Sequence, residues 1–247
     1  MPPLTTCNPQ LIVISDIDGV IANFGTSWLA YIYQSYGVAI SPASHTEHDG
    51  LGRLLYKHMQ QQAPQLLCTQ GITTYADFIA SKPKALQFAE TLQLTTEALP
   101  FFELLPAFIE LSQADWVSLQ FCTQRDVKIK EWTERWLTLW GLDRREPTVY
   151  CASLKDKIAY VHDVARRTRA QVLYLEDHPG CCELLNALTP RKNLAVYLPA
   201  TTYNADYPIG NCGALRFPLR TLALQLKRLL LSTQPVATQI SQEALNG

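Results

Sequence analysis

The sequence predicts a doubly wound parallel α/β sheet with a helical cap inserted after its first strand, and three observations carry that expectation. The apolar run Leu11-Ile12-Val13-Ile14 reads as a buried parallel strand and leads directly into Ser15-Asp16-Ile17-Asp18-Gly19-Val20. From about residue 116 to 198, short β-forming runs alternate with segments of helical period, the pattern of a sheet covered on both faces. Between them, residues 24–110 show helical patches without a convincing strand. The expected organisation is a core of 1–23 and 111–232, a helical cap of 24–110, and a flexible tail of 233–247.

In chain order, the insert opens with Trp28, Leu29, Ile32 and Tyr36 on one helical face, ended by Gly37. Further helical faces follow at Leu51, Leu54, Leu55, His58 and Met59, at Phe78-Ile79, and at Ala85 to Leu92. Ser41-Pro42, Ala63-Pro64 and Lys82-Pro83 punctuate them. Trp116 to Cys122 reads as the second strand, followed by a helix with Ile129, Trp132, Trp136 and Trp140 on one side, where core packing is the simplest use of the tryptophans. Thr148 to Cys151 forms a short strand and Ile158 to Thr168 a helix. Val172 to Leu175 is a strand ending in Glu176-Asp177, Cys181 to Leu188 a helix, Leu194 to Leu198 a strand, and Leu219 to Leu230 a packing helix. The segment from Thr201 to Arg216 reads as an irregular connection without an assigned role.

Composition narrows the function classes. A chain of 247 residues that is 47% hydrophobic can bury a sizeable core. Its 21 basic and 22 acidic residues nearly cancel, so no global field favours nucleic acid or an anionic membrane. Met-Pro-Pro-Leu-Thr-Thr lacks a basic leader and no stretch reaches the length of a membrane span, which together predict a cytoplasmic protein. Seven cysteines without a Cys-x-x-Cys pair signal neither a zinc site nor a disulfide framework, and Cys181-Cys182 fits two small apolar residues opening a helix.

Four chemical elements fall at strand ends or at a helix start: Asp16-x-Asp18, Thr123, Lys157 and Glu176-Asp177. Each alone has an ordinary structural use, as a turn former, a strand-end hydroxyl, a solvated helix residue or a helix cap. Their joint order resembles the four motifs of the haloacid dehalogenase-like phosphohydrolases. Nineteen positions separate Lys157 from Glu176, room for one helix and one strand, and because that spacing suits the family the resemblance implies Lys157 as the motif lysine, with Lys155 the competing candidate. The resemblance implies a Mg²⁺-dependent phosphatase of small phosphorylated substrates.

The physical need for each group can be stated independently. A dianionic phosphate monoester repels an attacking carboxylate, so positive charge must be supplied first. Mg²⁺ takes hard oxygen ligands, here Asp16, the backbone carbonyl of Asp18, and Asp177. Asp16 is then the nucleophile, and Asp18 the acid and later the base. Thr123 and the amides of Ile17 and Gln124 offer donors to the transferring group, Lys157 a fixed charge. Glu176 stands where the family more often has Asp, and its extra methylene suits an outer position behind the metal ligands.

For the substrate, Asp16-Ile-Asp-Gly-Val-Ile-Ala-Asn-Phe24 is similar to the opening of the 5′(3′)-deoxyribonucleotidases, which implies a nucleotide. That group usually has Thr-Ser-Pro where this chain has Thr123-Gln124-Arg125, and Thr-x-Arg-Asp also resembles the phosphatase domain of polynucleotide kinase-phosphatases. Arg125 either reaches substrate beyond the reacting phosphate or pairs with Asp126 at the surface. Phe24, Phe101 and Phe102 either stack a base or pack within the cap, and Arg144-Arg145 and Arg166-Arg167-Arg169 read as solvated helix ends. A polynucleotide 3′-phosphatase fits the near-neutral charge poorly, and a non-catalytic scaffold fits poorly with both Asp16 and Asp18 present.

Overall fold

The computed structural model describes residues 9–23, 56, 57, 59–61, 64–69, 71–81, 98–142, 146–178, 180–188, 191–201, 204 and 214–234, with single positions 30, 33 and 39. The expected helical-face residues Trp28, Leu29, Ile32 and Tyr36, those at 51–55 and 85–92, Phe24, Arg144-Arg145 and most of the tail lie outside the described residues.

Six parallel strands form the sheet: β1 (Leu11–Ser15), β2 (Val117–Thr123), β3 (Val149–Tyr150), β4 (Gln171–Leu175), β5 (Leu194–Pro199) and β6 (Leu215–Phe217), in the order β3-β2-β1-β4-β5-β6. Among the described residues the bounded helices are α1 (Pro64–Thr69), α2 (Tyr75–Ser81), α3 (Leu105–Gln113), α4 (Lys130–Leu139), α5 (Leu154–Arg167), α6 (Gly180–Asn186) and α7 (Leu219–Ser232). The two-residue side-chain period of each strand divides the core in two. Leu11, Val13, Leu119, Phe121, Leu173 and Leu175 face α3, α4 and α7, through Phe108, Trp136 and Leu222 among others. Ile12, Ile14, Val172, Tyr174, Val196 and Leu198 face α5 and α6, through Ile158, Val161, Cys181 and Cys182. Helices on both faces explain why all five residues of β1 are buried, a run that an open antiparallel sheet would not tolerate.

Two departures from the sequence expectation have plain causes. β6 falls inside the segment read as a loop, because three residues at the edge of a sheet, with Leu215 exposed, leave no periodic pattern to detect. Helix α3, counted with the insert on sequence grounds, packs on the sheet through Ala107, Phe108 and Leu111. The chain already rejoins the core at Ala98 to Phe101, where the Asn23 amide donates to the Leu99 carbonyl at 2.8 Å, the Phe101 amide to the Ile21 carbonyl at 2.8 Å, and Ala22 bridges Pro100. Phe101 packs against this core, whereas Phe102 is 58% exposed and lies edge-on to Trp140. In the described part of the insert, Tyr56 packs with Tyr75 and Phe78 and donates its hydroxyl to the Thr73 carbonyl at 2.8 Å. Among the described residues no helix is long and apolar enough to cross a membrane.

Phe108 is fully buried and stacks on Phe121 of β2, so Phe108→Ala should lower unfolding free energy by about 3–5 kcal/mol in urea titrations. Leu224→Ala, on the solvent side of α7, should change it by less than about 0.5 kcal/mol.

Candidate active site

The strand order reverses between β1 and β4, the place where an open parallel sheet leaves a crevice beyond its C-terminal edge. Register then fixes what meets there. Ser15 pairs with Phe121 on one side and Leu175 on the other, so Asp16 emerges beside Cys122-Thr123 and beside Glu176-Asp177. The Asp16 amide continues the ladder, donating to the Leu175 carbonyl at 2.9 Å. Gly19, with φ +76°, then turns the chain in a conformation that β-carbons disfavour.

Lys157 enters from the first turn of α5, whose Ser153 cap accepts the Asp156 amide at 3.2 Å. Its ammonium lies 2.6 Å from Asp16 Oδ2 and 2.7 Å from Glu176 Oε2, and its side chain is 1% exposed. Lys155, two residues earlier on the helix, is exposed instead. Glu176 is held from all sides: Lys157 and the Tyr174 hydroxyl share Oε2, and the His178 amide donates to Oε1 at 3.2 Å. Those donors suit the outer position expected of it.

Charge is badly unbalanced in this pocket. Asp16, Glu176 and Asp177 bring carboxylate oxygens within 4.8 Å of one another, and Lys157 is the cation bonded among them. Burial opposes ionisation of all three. For Glu176 the Lys157 charge and hydrogen bonds from Lys157 and Tyr174 win, holding it down at about 2. For Asp16 burial prevails over Lys157, aided by the charges of Glu176 and Asp18, and raises it to about 7. Asp177 is driven well above the carboxylate range by burial and by the charges of Glu176 and Asp16. Asp16 and Asp177, with Glu176 held beside them by Lys157, offer hard oxygen donors of the kind a divalent cation takes.

Thr123 is buried, and its hydroxyl accepts the Arg125 amide at 3.3 Å, leaving its own proton to donate elsewhere. Gln124 beside it is exposed. Two residues expected to contact substrate have other partners in the structure. The Ile17 amide donates to Asp16 Oδ1 at 2.7 Å, so it is taken up by its neighbour's carboxylate instead of standing open to a bound oxyanion. Arg125 neither reaches outward nor pairs with Asp126, whose carboxylate caps the Lys128 amide at 2.9 Å. Arg125 turns inward and forks onto Asp18, Nε to Oδ2 at 2.9 Å and Nη2 to Oδ1 at 2.6 Å. The fork follows from burial, since an unpaired guanidinium in the core would be far costlier than one on a carboxylate.

Two residues at this site were not singled out from the sequence. Tyr174 shares a strand face with Glu176, so period-two alternation places its hydroxyl there. Asn204, fully buried in a segment without periodicity, donates to the Asp177 carbonyl at 2.8 Å and to the Pro199 carbonyl at 3.0 Å, tying the acidic loop to the end of β5. The arginines of α5 do sit at a solvated helix end, with Arg166 and Arg167 on Asp163 at 2.6 and 2.8 Å.

No protein-family model and no curated protein matches this sequence. Solved structures do. The chain is similar to a protein assigned as a β-phosphoglucomutase from Thermotoga maritima, 15% identical over 88% of this chain and 98% of that one, with a TM-score of 0.53. It is also similar to a predicted phosphoglycolate phosphatase from Haemophilus somnus 129pt, 15% identical over 90% and 99%, TM-score 0.52. A phosphonoacetaldehyde hydrolase-like protein from Oleispira antarctica is 14% identical over 92% and 96%, TM-score 0.52. At this identity the likeness bears on architecture alone: the chain shares the overall fold of these three structures.

Proposed function

We propose that the chain is a Mg²⁺-dependent phosphomonoester hydrolase that works through an aspartyl phosphate on Asp16, with a small phosphorylated metabolite such as a nucleotide as substrate. The observation that carries this reading is the buried Asp16–Lys157–Glu176 bridge beside Asp177, at the switch point of the sheet. Asp16, the backbone carbonyl of Asp18 and Asp177 would hold the metal. Bound there, Mg²⁺ would supply the positive charge that lets a carboxylate approach a phosphate dianion.

The remaining steps belong to the chain. Lys157 keeps Asp16 oriented and offsets the charge of the incoming phosphate. Asp16 attacks phosphorus, the bond to the leaving oxygen breaks, and Asp18 delivers a proton to that oxygen. Asp18 then removes a proton from the water that attacks the aspartyl phosphate, releasing inorganic phosphate and restoring Asp16. The Thr123 hydroxyl and the Gln124 amide are the donors left for the equatorial oxygens. The helical insert is read as the cap that selects substrate, and the small-metabolite reading is favoured over nucleic acid by the near balance of charge along the chain.

Phosphate release from nucleotides, sugar phosphates, 3′-phosphorylated oligonucleotides and p-nitrophenyl phosphate, with and without Mg²⁺, tests the reading directly. Turnover should vanish with chelator, and Asp177→Asn should raise the Mg²⁺ concentration needed for half-maximal rate; full turnover in chelator would exclude the mechanism.

Asp16→Asn should abolish activity, because a neutral amide neither attacks phosphorus nor binds the metal as an anion. Asp18→Asn should cost about 10²- to 10⁴-fold in kcat, and less with p-nitrophenyl phosphate, whose leaving group needs no proton. Equal losses on p-nitrophenyl phosphate and on an alkyl phosphate would remove the acid role from Asp18.

A further inference from the structure

Asp18 lies just past the end of β1, in the turn made by Gly19, and its side chain is 28% exposed. A carboxylate in such a place can take several rotamers, yet a proton donor must sit within hydrogen-bond reach of one oxygen of the substrate. Arg125 removes that freedom. Its guanidinium grips both Asp18 oxygens, and its side chain is 3% exposed. The grip is anchored behind: Nη1 donates to Thr133 Oγ1 at 3.3 Å, and the guanidinium carbon stands 5.8 Å from the Trp136 ring centroid. Both residues belong to α4 and are buried, and Trp136 Nε1 donates to the Ala98 carbonyl at 2.7 Å where the insert rejoins the core.

We propose that Arg125 is a positioning residue that fixes the Asp18 carboxylate for proton transfer and does not itself touch the substrate. A carboxylate has about four lone-pair sites, and a fork occupies one on each oxygen, so the others remain for the leaving oxygen and for water. Lysine has no fork, and a single ammonium leaves rotation about the carboxylate free. An arginine reaching for substrate would have to abandon Asp18, Thr133 and Trp136 together. The inference rests on the hydrolase reading above.

A double-mutant cycle in the full chain separates the two. Arg125→Lys should lower kcat with an alkyl phosphate by about 10- to 100-fold while KM stays within about two-fold. In an Asp18→Asn background the same change should cost less than about two-fold, because the group it positions no longer transfers a proton. Thr133→Val, which removes one anchor and conserves volume, should show the same pattern with a loss of about two- to five-fold, and it carries the cycle if Arg125→Lys does not fold. A full loss persisting in Asp18→Asn, or a raised KM with kcat kept, would overturn the positioning role alone. A wild-type chain without Asp16-dependent turnover would overturn the hydrolase reading and this inference with it.

Discussion

The Lys157 ammonium, buried between Asp16 and Glu176, is the contact on which the site depends. Removing a cation and two carboxylates from water costs several kcal/mol per ion, and the loss is offset only when every partner lies at hydrogen-bond distance. All three charges here meet that condition, Glu176 with further donors from Tyr174 and the His178 amide. Satisfying the lysine leaves the pocket with excess negative charge. Burial and that crowding raise the Asp16 and Asp177 carboxyls, an imbalance that a hard divalent cation would relieve.

That contact exists because of register. Asp16 meets Glu176 only while Ser15 pairs with Leu175, and a slip of one residue would turn Ile12 and Ile14 from the α5–α6 face to the opposite one. Two dissimilar core halves therefore hold the sheet in the alignment that the site needs. Asn204 adds a tie across the next strand end, from β5 to the Asp177 backbone. Packing energy and site geometry are the same constraint seen from two sides.

What was legible in the sequence follows from how each feature is encoded. β1, β2, β4 and β5, with the helices between them, announce themselves as apolar runs and helical periods, and Asp16, Asp18, Thr123, Lys157, Glu176 and Asp177 could be placed because strand ends are readable. The choice of Lys157 over Lys155 comes from spacing, and helix phase accounts for it physically, since residues two apart on a helix face about 200° away, one toward solvent and one toward Asp16. β6 was too short for a period, and Asn204 sits in a segment where only tertiary contact gives it a partner. Arg125 reads from the sequence as a substrate contact or as a partner of Asp126, whereas the carboxylate it grips, Asp18, is 107 positions away, a pairing that only tertiary structure reveals.

Two aspartates separated by one residue end in different environments. Asp16 is buried, with Lys157 on one oxygen and the Ile17 amide on the other. Asp18 is partly open to solvent and gripped from behind by a guanidinium. A nucleophile needs a fixed orientation and relief from neighbouring negative charge; a proton carrier needs access to water and to the leaving oxygen. Asp16 directly follows the last β1 register position, Ser15, and Asp18 lies two residues further on, just before the turn at Gly19. In the proposed mechanism the two acids divide labour, and the surroundings that would set the division come from separate elements, α5 for Asp16 and the β2–α4 segment for Asp18.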